Sequence, residues 1–87
     1  MKFELFSEVI LNVDVPEDGL KQGDVGTVVE HHETPSGEKG YSVEFVDLLG
    51  NTLAVVTLDE SAFRSPIRGE HLAVRKYPQQ EQFALAR

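Results

Sequence analysis

The sequence predicts an all-β fold, a small SH3-like barrel of about five strands, followed by a C-terminal tail with the makings of a short helix. Three observations lead there. First, Gly19, Gly23 and Gly26 punctuate the stretch Gly19-Leu20-Lys21-Gln22-Gly23-Asp24-Val25-Gly26-Thr27-Val28-Val29-Glu30 and lead into a β-branched run, the pattern of a tight loop feeding a bent strand. Second, short alternating apolar runs recur between turn-rich connections. Third, no helical segment separates the third and fourth of these runs, which favours an SH3-like barrel over an OB-fold.

The first strand is read over Ser7 to Val13, with Val9, Leu11 and Val13 on one face and Glu8, Ile10 and Asn12 on the other. Asp14-Val15-Pro16-Glu17-Asp18-Gly19 then holds a proline that fixes φ and a glycine that accepts positive φ, so the backbone is expected to wander there rather than pair. Leu20, the large apolar residue of that loop, is expected to plug the barrel end. Val25 to Glu33 forms a second strand, in which Gly26 marks a bulge, a bend or a close backbone approach. Thr34 to Gly40 is a polar connection. Tyr41 to Asp47 alternates, Tyr41, Val43 and Phe45 facing in and Ser42 and Glu44 out. Leu48-Leu49-Gly50-Asn51 closes a second hairpin, and Thr52 to Leu58 is a fourth strand. Asp59 to Phe63 suits one 3₁₀ turn, and Arg64-Ser65-Pro66-Ile67 a brief closing edge strand. The barrel therefore spans residues 1–67 and the tail 68–87, where Pro78 and the helix formers after it suit a short helix.

Composition bounds the task. The chain has 87 residues, no cysteine and a formal net charge of −7. The lack of cysteine removes disulfides, thiolate ligands and a thiol nucleophile, and a cytoplasmic location is expected. No window approaches the apolar length of a membrane span, so no membrane partner is expected. The charge is uneven: residues 1–63 carry thirteen acids against three lysines, whereas residues 64–87 carry five basic groups against two acids. An acidic body repels phosphate backbones and attracts cationic partners.

Candidate chemistry is sparse. His31 and His32, flanked by Glu30 and Glu33, have metal-ligand side chains, but neighbours on a strand point to opposite faces, and solvated histidines at a strand end are expected. Asp14, Glu17, Asp18 and Asp24 crowd one loop without the order of an EF-hand, and Asp24 is expected to bond a nearby backbone amide. Ser61 and His71 stand alone, and no nucleophile is flanked by a base. Gly23-Asp24-Val25-Gly26 precedes a strand and lacks the lysine of a phosphate loop. We expect no catalysis, no metal and no cofactor.

The series Phe6-x-x-Val9-x-Leu11, Asp14-x-Pro16-Glu17-x-Gly19-Leu20-x-x-Gly23-Asp24-x-Gly26-Thr27-Val28-Val29-Glu30, Tyr41-x-Val43-Glu44-Phe45-Val46-Asp47 and Thr52-x-Ala54-Val55-Val56-Thr57-Leu58 resembles a bacterial family of short domains of unknown function, common in cyanobacteria. The resemblance covers roughly residues 3–66 and implies an SH3-like barrel without assigned catalysis, a small partner of a neighbouring gene product of the toxin and antitoxin kind. The Gly26-Thr27-Val28 step is also similar to the KOW segment of ribosomal and transcription-elongation domains.

The leading expectation is a non-catalytic, antitoxin-like or immunity-like module that binds a basic protein. Its contact surface would combine Glu17, Asp18 and Glu44 with the apolar Val46, Leu48 and Leu49 of the hairpin tip, although Leu48 is expected to fold over the barrel. Phe83 and Leu85 add apolar groups on the tail. The alternatives are an RNA-binding module using Arg64, Arg68, Arg75, Lys76 and Arg87, with Tyr77 to stack on a base, and an accessory subunit of a larger complex. Self-association through an edge strand or the tail is a further expectation.

Overall fold

A computed structural model describes residues 1–78 of the chain; the helix expected over 79–86 lies outside the described residues, as do Phe83, Leu85 and Arg87. Five strands, β1 (Glu8–Leu11), β2 (Val25–Glu33), β3 (Lys39–Val46), β4 (Thr52–Asp59) and β5 (Phe63–Arg64), form one antiparallel sheet in the order β4-β3-β2-β1-β5. Two single 3₁₀ turns interrupt them, η1 (Pro16–Asp18) and η2 (Glu60–Ala62). The fold is all-β and barrel-like, as the punctuated alternation predicts.

The core is built from the inward faces of the strands. Val9 and Leu11 of β1, Val28 of β2, Tyr41, Val43 and Phe45 of β3 and Val56 of β4 meet Phe63 and the loop residues Phe3, Val15 and Leu20. Leu20 is buried at one end, where the sequence puts a plug. Gly26 provides the expected close approach. A Cβ there would sit 2.6 Å from Val43 Cγ1 and 2.9 Å from the Glu44 carbonyl oxygen, so only glycine lets β2 lie this close to β3. The register shift itself falls two residues further on, between Val28 and Glu30, and this bulge puts His31 opposite Tyr41 on the inner side.

Several expectations are corrected. β1 stops at Leu11 because the chain then turns away, the Leu11 amide donating to the Asp24 carbonyl and the Asn12 amide to that of Ala62; Val13 is left exposed. Ile10 is buried although it lies on the opposite face to Val9, because it lines a hollow roofed by residues 70–75. The loop after Asp14 does pair: Val15 and Leu20 exchange backbone hydrogen bonds of 2.9 and 3.1 Å around η1, and Gly19 caps that turn with φ of +71°. Ser42 faces the outer side yet is buried, its hydroxyl lying 2.7 Å from Thr57 Oγ1 and 2.8 Å from His32 Nε2. The closing strand occupies Phe63–Arg64, so Pro66 falls beyond it. No helix among the described residues is long and apolar enough to cross a membrane.

Candidate protein-binding surface

The β3–β4 hairpin presents its apolar groups on a rigid turn. Asp47 makes that turn: its Oδ1 accepts hydrogen bonds from the Leu49 and Asn51 amides at 3.0 and 2.8 Å, its Oδ2 accepts from Asn51 Nδ2 at 3.0 Å, and its own amide donates to the Asn51 carbonyl. The hydrogen bonds from Asn51 hold the Asp47 carboxyl below the ordinary carboxylate range, so it stays an acceptor. With the backbone pinned by these bonds, Leu48 and Leu49 cannot fold back. They stand 80 % and 88 % exposed, which corrects the expectation that Leu48 covers the barrel.

Val46 and Val55 are also about half exposed on the outer face of the same hairpin, where Val55 lies opposite Glu44. Glu44 is half-buried and accepts a 2.6 Å hydrogen bond from the Thr52 hydroxyl, which fixes one carboxylate beside the apolar group. Reading the sequence misses Val55. The unbroken apolar run Leu53 to Val56 gives no alternation from which its outward direction can be read.

Glu17 and Asp18, expected on the same surface, sit in η1, in the loop that the C-terminal segment crosses and that leaves the sheet on the same side as the hairpin. The Asp18 carbonyl accepts a 2.5 Å hydrogen bond from the Tyr77 hydroxyl, and the half-buried Tyr77 ring packs on the core. Arg75 grips the same loop, donating from Nε to Asp24 Oδ1 at 3.0 Å, from Nη2 to Asp24 Oδ2, and from Nη2 to the Gly19 carbonyl at 3.1 Å. Asp24 also caps the Lys21 amide at 2.8 Å, the local bond its sequence position suggests. Burial pushes the Asp24 carboxyl up, but the hydrogen bond from Arg75, the Lys21 amide and the Arg75 charge outweigh it and hold the group below its usual value. Upstream, Arg64 forms a two-pronged pair with Glu70 at 2.6 and 2.9 Å, which holds the Glu70 carboxyl down at about 2.

These pairs bear on the basic residues. Arg64 and Arg75 are each committed to a carboxylate and Tyr77 to a backbone carbonyl, while Arg68 and Lys76 are exposed and form no ion pair among the described residues. Segment 70–77 thus straps the outer face of the sheet. Two hollows flank it, one of about 240 Å³ lined by Phe45, Val46, Leu53 and Val74, the other of about 500 Å³ lined by Ile10, Val25, Arg64 and Leu72.

The third polar cluster is structural. Tyr41 is fully buried, donates a 2.6 Å hydrogen bond to Glu60 Oε2 and accepts from the Lys2 and Phe3 amides, while His31 meets its ring edge-on and reaches the Phe3 carbonyl at 2.7 Å. Burial and the Glu60 hydrogen bond both push the Tyr41 phenol up, so it remains a donor. His31 and His32 point to opposite faces, as strand geometry requires, but each is hydrogen-bonded and half-buried rather than freely solvated. Among the described residues, no three histidine, aspartate or glutamate side chains gather to hold a metal ion.

A family model described as a domain of unknown function (DUF4926) matches residues 5–65, from the N-terminal segment to the end of β5. The chain belongs to the DUF4926 family. No curated protein and no solved structure matches it. The family span takes in the β3–β4 hairpin and the loop around η1 but stops short of Glu70, Arg75 and Tyr77, so the strap lies outside the matched region.

Proposed function

We propose that the chain is a non-catalytic, acidic protein-binding module of the antitoxin or immunity kind, whose β3–β4 hairpin docks a basic partner. The observation that carries this reading is the exposed apolar group Val46, Leu48, Leu49 and Val55, its two leucines held away from the core by the Asp47 turn. Small domains bury such groups when they can, and an apolar tip with a polar rim is the usual form of a protein contact. The acid excess of residues 1–63 adds the second half of the argument: it draws a cationic partner and makes its association rate salt-dependent. An SH3-like identity for the barrel fits this use, since the sheet serves as a rigid platform and its connections carry recognition.

The experiment is capture of partners by the tagged full chain from its native cell at low and high salt, beside a variant carrying Leu48→Asp and Leu49→Asp. A basic protein retained at low salt, weakened by salt and reduced roughly tenfold by the double variant, is the expected result. Equal capture by both chains, or capture indifferent to salt, overturns the reading.

A further inference from the structure

We infer that the free edge of β4 is a strand-addition site for an extended, basic segment of the partner; this rests on the protein-binding reading and specifies how the contact is made. β4 is the last strand of the sheet and eight residues long, paired on one side with β3. Among the described residues, no backbone hydrogen bond from any other segment reaches Thr52–Asp59. Its other side therefore offers a row of unused backbone donors and acceptors. The opposite edge of the sheet, β5, is only two residues long and offers no comparable row.

Edges exposed in this way are ordinarily guarded by lysine, proline, an inward charge or a bulge. Thr52 to Leu58 contains no charged residue and no proline. The register shift against β3 lies at the very start of the strand, near Val46 and Thr52, and the pairing from Ala54 to Asp59 is regular. An added strand would find backbone partners along this length, with Val55 and Thr57 exposed to meet its side chains.

Charge decides the occupant. Glu44 on β3 pairs with Val55, Asp47 forms the turn at one end of β4, and Asp59 and Glu60 stand at the other. A second copy pairing through β4 would bring two such acidic bodies together, whereas a basic segment is drawn by the same charge.

The test uses the uniformly labelled full chain and a synthetic peptide of alternating lysine and valine as long as β4, with a control of equal charge carrying proline at its centre. Amide hydrogen exchange is read residue by residue. The alternating peptide at about 1 mM is expected to slow exchange within Thr52–Asp59 roughly tenfold, and the proline peptide to leave it unchanged. Equal slowing by both peptides, slowing confined to other strands, or none at all overturns the inference, as does slowing that grows with protein concentration alone, which would make the occupant a second copy. If β4 stays unprotected while the Leu48 and Leu49 substitutions still abolish capture, the strand-addition site is wrong and the protein-binding reading stands. If capture also fails, both fall.

Discussion

Two loops that leave the sheet on the same side, the η1 loop between β1 and β2 and the β3–β4 hairpin, treat the same kinds of residue in opposite ways. At the η1 loop, leucine goes inward and carboxylates are consumed: Leu20 is 2 % exposed, Asp24 holds Arg75 and the Lys21 amide, and Asp14 caps the Gln22 amide. At the β3–β4 hairpin, leucines go outward, and the carboxylate of Asp47 is spent on keeping them there. The difference is local geometry. A loop closed by the Val15–Leu20 bridge has a core to fold onto, while the short 47–51 connection pinned by its own aspartate does not. Carboxylates in the first loop build the fold, and apolar groups in the second remain exposed.

The sharpest break of this comparison is a pair of identical substitutions. Leu20→Ala removes a plug packed against Val15 and the core, and about 2–5 kcal/mol of stability is expected to go with it. Leu48→Ala and Leu49→Ala, at 80 % and 88 % exposure, should change stability by less than about 0.5 kcal/mol. Chemical denaturation of the three variants gives the answer. A costly Leu48 or Leu49 substitution would show that the hairpin tip serves the fold after all.

The carboxylates offer a second, smaller contrast, read through pH. Asp24 has its folded pKa lowered, so the stability it contributes is fully present above the ordinary carboxylate value of about 4 and is lost as pH falls through the lowered folded value. Its side chain is 19 % exposed and that of Arg75 31 %, so screening is partial. Asp24→Asn is expected to cost about 1–2 kcal/mol at neutral pH and to flatten the loss of stability below about pH 4. Glu70 is lowered too, to about 2, but lies in solvent, so Glu70→Gln should move the same acid titration much less. Thermal unfolding followed across the acid range compares the two. An Asp24→Asn chain as acid-sensitive as the parent would remove the η1 loop from its structural role.

Much of this architecture was legible because local signals agreed with the global fold. Alternation in Tyr41-Ser42-Val43-Glu44-Phe45 placed β3, the apolar Leu20 in a polar loop announced a plug, and Gly26 announced a close approach that the Val43 side chain and Glu44 carbonyl now explain. What stayed hidden depends on contacts distant in sequence. Ser42 is buried because Thr57 and His32 close over it, and Tyr41 orders the N-terminus through the Lys2 and Phe3 amides. The strap is another case: nothing local in Arg75 or Tyr77 says that a loop more than fifty residues earlier will accept their hydrogen bonds. Of the candidate surface, Val46 and Leu49 were readable from the hairpin, whereas the exposure of Leu48 waited on the Asp47 turn and that of Val55 on the register that sets it opposite Glu44.

The smallest effect on stability, and the most discriminating for the hairpin, belongs to Asp47. The residue is half-buried and its carboxylate bonds only within its own turn, so Asp47→Ala should lower the unfolding midpoint only slightly. What it removes is the set of hydrogen bonds that fixes Leu49 and Asn51. Amide exchange at those two positions should therefore rise while β2 and β3 keep their protection. Because a looser tip must be ordered again on docking, partner capture should weaken even though both leucines are still present. Unchanged capture with faster exchange would mean that the turn's rigidity is irrelevant to recognition, leaving the exposed apolar area alone to account for it.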